Sequence, residues 1–390
     1  MSRYDFDTPV DRRGTNSVKW KVGEGELPMW IADMDFRTAP EVIRAVEERA
    51  AHGVFGYAEP DEAWENAYIS WWKQRYGFVI DRSWLVFATG VVPAISSIVR
   101  KLGTPNENVV LQTPVYNIFF NSVVNNGLRV LENPLRYTDG RYQINFEDLE
   151  AKFADPQTTL FILCNPHNPV GRIWNRDELA KIGELAKMYN VTVISDEIHC
   201  DITVPGKKYI PFAAVSDVCR SVSATCVSPS KSFNLAGLNS AAVIVPDRFL
   251  HHKIWRGINT DEVGEPGVFA CISTQAAYAY GGSWLDALRD YLFDNRVFAE
   301  NYISEHIPEI FAVHGEATYL LWLDISGISN DSKAFVNFLR ERTGLVVSAG
   351  SAYGSSGEGF IRVNIACPRV FLEDGLSRLK QSVELFKRGQ

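Results

Sequence analysis

From about residue 84 to 245 the chain alternates short runs of apolar, β-branched or small residues with longer amphipathic stretches. Strands buried on both faces read as such continuous runs, and crossover helices supply the amphipathic stretches between them. The pattern therefore predicts an α/β unit around a mostly parallel sheet. The runs place strand ends near Ala88, Gln112, Cys164, Ser195, Val227 and Val245. Trp84-Leu-Val-Phe-Ala88 leads through Thr89 and Gly90 into a segment with Pro93 near its start, which reads as strand, tight turn and helix. Further on, residues 284–296 and their continuation predict a long helix, and residues 319–324 a strand of a smaller α+β unit. The chain has no internal repeat, no low-complexity tract and no Pro/Gly/Ser-rich linker.

Composition narrows the class. With 390 residues, 46% hydrophobic and 22% charged, the chain is long enough for two domains and reads as an ordinary globular protein. A net charge of −8 argues against nucleic acid or an anionic membrane as partner, since both require a basic face. No apolar stretch reaches the roughly 18 to 20 residues of a spanning helix, and the opening residues 1–7 lack a signal-peptide core. The expectation is a cytoplasmic protein. Six cysteines without C-x-x-C spacing read as reduced, structural thiols. The neighbouring His251 and His252 would point about 100° apart on a helix, so no metal site is expected.

The strand ends carry the chemistry. Lys231 follows the run ending at Val227, and Asp196 ends the run that starts at Val191, 35 residues earlier. An amine held at a strand end and kept partly neutral can form a Schiff base with an aldehyde. A carboxylate emerging at a neighbouring carboxyl edge can keep a pyridine nitrogen protonated, so the pair reads as a pyridoxal 5′-phosphate site. Lys231 taken alone reads first as a solvated charge. The same chain order adds Asn165-Pro-His-Asn-Pro-Val-Gly171, a rigid turn whose Asn168 can donate to a ring oxygen. It also adds the helix start at Gly90, Val91 and Val92, whose free backbone N–H groups suit a phosphate.

Taken with Leu27-Pro-Met-Trp-Ile-Ala-Asp-Met-Asp-Phe36, His52-Gly-Val-Phe-Gly-Tyr57, Ser195-Asp-Glu-Ile-His-Cys-Asp201, Ser228-Pro-Ser-Lys-Ser-Phe-Asn-Leu-Ala-Gly237 and Gly359-Phe-Ile-Arg-Val-Asn364, these motifs give a resemblance over nearly the whole chain. The sequence resembles fold type I pyridoxal-phosphate enzymes of the class I/II aminotransferase superfamily, and within them the MalY/PatB-like cystathionine β-lyase branch of C–S lyases. The resemblance implies a large cofactor-binding domain with a mostly parallel seven-stranded sheet between helices, plus a smaller α+β domain. It implies boundaries at residues 1–47 for an N-terminal segment joining the small domain, 48–283 for the large domain and 284–390 for the small one.

By the same resemblance Lys231 carries the cofactor, Asp196 pairs with its ring nitrogen, Asn168 bonds its ring oxygen, and Ser228, Ser230 and the backbone of Gly90, Val91 and Val92 cradle its phosphate. Tyr116 matches the aromatic that stacks on the ring, or else packs under the next helix. Tyr57 matches a tyrosine that reaches the neighbouring subunit's phosphate, which implies a homodimer with shared sites. Arg362 matches the arginine that grips the substrate α-carboxylate, with Ala32 beside it; a surface ion pair is the alternative, but the flanking Phe360, Ile361 and Val363 read as a strand emerging from a core. Two positions depart from common aminotransferases: Asn239 stands where many carry a phosphate-binding arginine, and His199 where tyrosine is frequent. The implied reaction is cleavage of the Cβ–S bond of cystathionine, cysteine or cysteine S-conjugates to a thiol, pyruvate and ammonia. Tyr57 and Tyr116 are the candidates to protonate the departing sulfur. Amino-group transfer is the rival, and a regulatory binding protein that keeps the fold is the alternative of another class.

Overall fold

The computed structural model describes residues 4–389. Residues 1–3, with which the expected N-terminal segment begins, lie outside the described residues.

A seven-stranded sheet forms the centre. Its strands are β1 (Leu85–Ala88), β2 (Asn108–Leu111), β3 (Arg129–Glu132), β4 (Thr158–Cys164), β5 (Thr192–Asp196), β6 (Ser223–Val227) and β7 (Ala241–Ile244). They lie in the order β1-β7-β6-β5-β4-β2-β3, and β7 alone runs against its neighbours. Six of the seven match runs that the pattern picks out. The seventh, β3, is the edge strand Arg-Val-Leu-Glu, none of whose residues is buried. Burial on both faces is what makes a strand read as an apolar run, and β3 lacks it.

Alternate residues of each strand feed opposite faces. Val86, Val109, Leu111, Leu160, Ile162, Ile194 and Val243 pack with the Val91–Leu102 and Arg248–Thr260 helices. On the other face, Phe161, Leu163 and Val193 meet Leu179, Ile182 and Leu185 of the Arg176–Met188 helix. Beside them Phe87, Ala242 and Ile244 meet the aromatic ladder of Trp64, Tyr68 and Trp72 from the Glu62–Tyr76 helix. Because the parallel strands share one direction, their carboxyl ends lie along one edge of the sheet.

The second sheet is antiparallel. Its strands β8 (Phe311–Ala312), β9 (Leu320–Asp324), β10 (Ser348–Ala349) and β11 (Phe360–Asn364) lie in the order β8-β9-β11-β10. The predicted long helix runs over Gly282–His306. Leu27–Pro28 pairs with Leu345–Val346, so the N-terminal segment lies on the smaller sheet's side. On that pairing we propose residues 1–47 and 284–390 as the smaller unit and 48–283 as the larger. Gly171 joins them. At φ 70° in the left-handed region, its carbonyl accepts from Glu316 N (2.7 Å) and Ala317 N (3.0 Å). A Cβ there would stand 2.9 Å from the Ala317 oxygen, so only glycine fits.

Residues 30–36 run along the crevice as an irregular strap with bends at 31–33 and 35–36. Asn364 Nδ2 donates to the carbonyls of Ile31 and Asp33, both at 2.6 Å. Asn234 accepts from Met34 N and donates to the carbonyls of Met34 and Phe36, each at 3.0 Å. Asp35, 2% exposed, is the strap's charged anchor: Lys19 Nζ lies 2.6 Å away, Arg12 Nη1 2.7 Å, and Trp20 Nε1 donates at 2.8 Å. Breaking a buried pair by removing one partner leaves the other charge uncompensated and costs about 3–5 kcal/mol. Asp35→Ala is therefore expected to lower the unfolding free energy by about that amount in urea denaturation followed by tryptophan fluorescence; an unchanged midpoint would show that the anchor carries no stability.

Candidate active site

Four strand ends enclose a cavity of about 230 Å³. β1 delivers Thr89 and Gly90 and the first turn of the Val91–Leu102 helix; β4 delivers Asn168; β5 ends on Asp196; and β6 runs into the turn that bears Lys231. Cys164, Asp196 and Cys226 stand level across three strands, so the aspartate projects from the middle of the sheet edge. Of the residues singled out in the sequence, Ala32, Gly90, Val91, Val92, Tyr116, Asn168, Asp196, His199, Ser228, Ser230 and Lys231 all line this cavity. Arg362 joins it from β11, donating Nη1 to Asn168 Oδ1 at 3.1 Å and Nη2 to the Trp30 carbonyl at 2.8 Å. Tyr57 does not join them. It lies fully exposed in the irregular stretch between the Pro40–His52 and Glu62–Tyr76 helices.

The lysine sits in the short helix Pro229–Ser232, which Ser228 caps by accepting from Ser230 N at 3.1 Å. The Ser228 hydroxyl hydrogen goes to the Ser240 carbonyl at 2.6 Å, which leaves Ser230 as the serine hydroxyl able to donate into the cavity. Lys231 Nζ donates a short hydrogen bond to the Ala32 carbonyl, which also accepts from Tyr319 OH at 3.0 Å. Sequence pattern does not single out Tyr319. Its place in an apolar run gives no sign that its hydroxyl reaches the strap.

Burial governs the charges. Desolvation lowers the Lys231 ammonium from 10.5 to about 8; the carboxylates of Asp33 and Asp196 oppose that shift and Arg362 adds to it. Desolvation raises Asp196 to about 7, against the stabilising Ile198 N–H at 3.1 Å and the nearby lysine. His199 is pushed down to about 3 by burial and by the two cations, so its imidazole is neutral. Burial raises the Tyr116 phenol above its ordinary value.

These residues fit a pyridoxal phosphate group. His199 Nδ1 and Arg362 Nε are buried nitrogens without a protein partner, and a polar ligand is the ordinary remedy for such groups. Arg362 is 5% exposed and forms no ion pair with a carboxylate among the described residues, so the site holds a buried cation that awaits an anion. Guanidinium has only donors, so Asn168 must present its oxygen to Arg362, and its amide hydrogens stay available for a ring oxygen. The Val91–Leu102 helix has no side-chain cap at Gly90, so its first N–H groups are open to a phosphate. Asn239, in the left-handed region at φ 50°, lines the wall with Ser230 and Ser240.

In the cofactor-free protein, the rate at which an acylating reagent labels Lys231 should rise with a midpoint near pH 8. Asp33→Asn removes a carboxylate that favours the ammonium and should move the midpoint down; Arg362→Met should move it up. A midpoint near the ordinary 10.5 would contradict the buried setting.

Comparison with known proteins agrees with this geometry. The family model "Aminotransferase class I and II" matches residues 27–379. Cystathionine β-lyase PatB of Bacillus subtilis is 43% identical over 97% of this chain and 100% of its own length. Protein MalY of Escherichia coli is 34% identical over 97% and 99%. The PLP-bound C–S lyase from Staphylococcus hominis, in a complex with L-cycloserine, superposes with a TM-score of 0.92 at 34% identity, covering 97% of this chain and 99% of that one. With a motif set at four strand ends and a family match over most of its length, the chain belongs to the class I and II aminotransferase family.

Proposed function

We propose that the protein is a pyridoxal-phosphate-dependent carbon–sulfur β-lyase that converts cystathionine, cysteine or S-substituted cysteines to a thiol, pyruvate and ammonia. The observation that carries this reading is the buried cavity in which a lysine with a depressed pKa faces Asp196 beside an arginine that lacks an anion. The identity to PatB, a cystathionine β-lyase, selects the lyase over the transaminase.

The cofactor, when bound, supplies an aldehyde carbon for an amine and a ring that takes up the electrons of a Cα carbanion. The chain's own residues do the rest. Lys231, poised near pH 8, is neutral often enough to take the Cα proton and basic enough to hold it. Asp196 offers its carboxylate to the ring nitrogen. Asn168 and the neutral His199 flank the ring oxygen, and Tyr116 stacks on the ring face. Ser230 and the N–H groups of Gly90, Val91 and Val92 hold the phosphate, while Ser228 fixes the turn that aims Lys231. Arg362 would grip the α-carboxylate with its planar fork beside Ala32 and so fix the orientation of the substituents on Cα. Tyr116 keeps its proton across the working pH range and can pass it to the leaving sulfur.

We place Tyr57 at the partner subunit's phosphate in a homodimer; its full exposure and the exposed Val54 and Phe55 beside it support that reading. A cytoplasmic location agrees with six free, buried cysteines.

Purified enzyme given cystathionine without any keto acid should release pyruvate and thiol in equal amounts. Lys231→Ala should lose both this turnover and the visible absorbance of the bound cofactor, and turnover that persists in the variant would refute the mechanism. In mixed dimers, Tyr57→Ala paired with Lys231→Ala should recover activity missing from either parent, because one site per heterodimer is then intact. No recovery would rule out sites shared between subunits.

A further inference from the structure

The turn that bears Lys231 is tied down at both ends. At its start Ser228 bonds Ser230 N and the Ser240 carbonyl. At its end the fully buried Ser232 donates its hydroxyl to Asp201 Oδ2 at 2.7 Å. Asp201 is 4% exposed and forms no ion pair among the described residues, although Arg75 feels its charge. It is held instead by neutral donors: Trp71 Nε1 at 2.9 Å and the Tyr76 hydroxyl, both on the Glu62–Tyr76 helix. A carboxylate only accepts, so Ser232, Trp71 and Tyr76 must all turn a hydrogen towards it. Phe233, next along the turn, stacks on Trp284 and meets Trp71 edge-on, which closes the remaining freedom.

Asp201 leaves the same strand end as Asp196. The segment from 196 to 201 thus sends one carboxylate into the cavity and another behind it, to the residue following the lysine. We propose that Asp201, acting through Ser232, is a positioning residue that sets where the Lys231 amine stands relative to Asp196 and Arg362. The amine's other hold is the Ala32 carbonyl on the strap, which is anchored independently of this turn through Asn364 and Asp35. Loss of the rear tie leaves the front one intact, so the turn can shift while the fold survives. A misplacement of about 1 Å at a reacting group can cost on the order of 100-fold in rate.

The inference rests on the reading of Lys231 as the reactive amine, and the test separates the two. In the holoenzyme with cystathionine, Ser232→Ala should lower kcat by about 10- to 100-fold with KM changed less than about twofold. It should also shift the pH midpoint of the bound cofactor's visible absorbance. Ser232→Thr, which keeps the hydroxyl, should restore both. Tyr76→Phe removes a donor from the same carboxylate but leaves the bond to Ser232, and should stay near the parent in kcat. Asp201→Asn should resemble Ser232→Ala; if it fails to fold, the serine pair still decides. A folded Ser232→Ala enzyme with parental kcat and an unshifted midpoint overturns the proposal, as does a Tyr76→Phe loss equal to that of Ser232→Ala. Lys231→Ala assayed alongside tells which idea has failed: if it alone is dead, only the positioning role falls, and if it still releases thiol the lysine's own role falls.

Discussion

Two cations, Lys231 and Arg362, share a buried crevice with one aspartate, and the price of burying them organises the site. In water each group would sit at its ordinary pKa and none would be chemically distinctive. Enclosed together they separate: the lysine falls to about 8, Asp196 climbs to about 7 and His199 drops to about 3. Near neutral pH the crevice therefore holds a readily deprotonated amine and a neutral imidazole beside the Arg362 guanidinium. That division of labour lasts only while the groups stay within reach of one another and away from bulk water.

The fold meets that need by closing the crevice from two sides. The parallel strands bring Asn168, Asp196 and Lys231 to one edge because every carboxyl end points the same way. The strap of residues 30–36 covers them from the smaller sheet's side and hands the Ala32 carbonyl to the lysine and the Trp30 carbonyl to the arginine. Backbone carbonyls suit this task. They stabilise a cation by dipole alone and add no negative charge that would pull the lysine back towards 10.5. Asp35, the strap's buried carboxylate, is occupied by Arg12 and Lys19, whereas Asp33, though paired with Arg12, is the carboxylate that most favours the Lys231 ammonium.

The parts of this arrangement that can be read from sequence are those in which local pattern and tertiary role coincide. β4, β5 and β6 are buried on both faces and so appear as apolar runs, and the chemistry sits in the residues at and just after their ends. The edge strand β3 lacks that signature and gives no such run. Asn168, Asp196 and Lys231 are legible because a polar side chain set at the end of a buried strand must find either a partner or a ligand in the crevice it faces. Asp201 and Tyr319 are not, since an aspartate after a strand and a tyrosine in an apolar run look alike whether or not they face a reactive lysine. Their meaning comes from partners far along the chain: Ser232 for Asp201 and Ala32 for Tyr319. Tyr57 is the reverse case, prominent in the motif yet remote from the cavity of its own chain because its proposed target lies on another.

The departure at Asn239 follows from the same electrostatics. Many aminotransferases that the chain resembles place an arginine there to meet the phosphate, but here Lys231 and Arg362 are already the two cations of the crevice. A guanidinium at 239 would add a third positive charge to the enclosure and press the lysine below 8, where it would lose basicity towards a Cα proton. On the proposed reading, the N–H groups of the Val91–Leu102 helix and the Ser230 hydroxyl would meet the phosphate with dipoles whose field falls off within a turn. Neutral anchoring at that end thus leaves the lysine's acidity to Asp33, Asp196 and Arg362, the charged groups around the amine, and separates the strength of cofactor binding from the strength of the base.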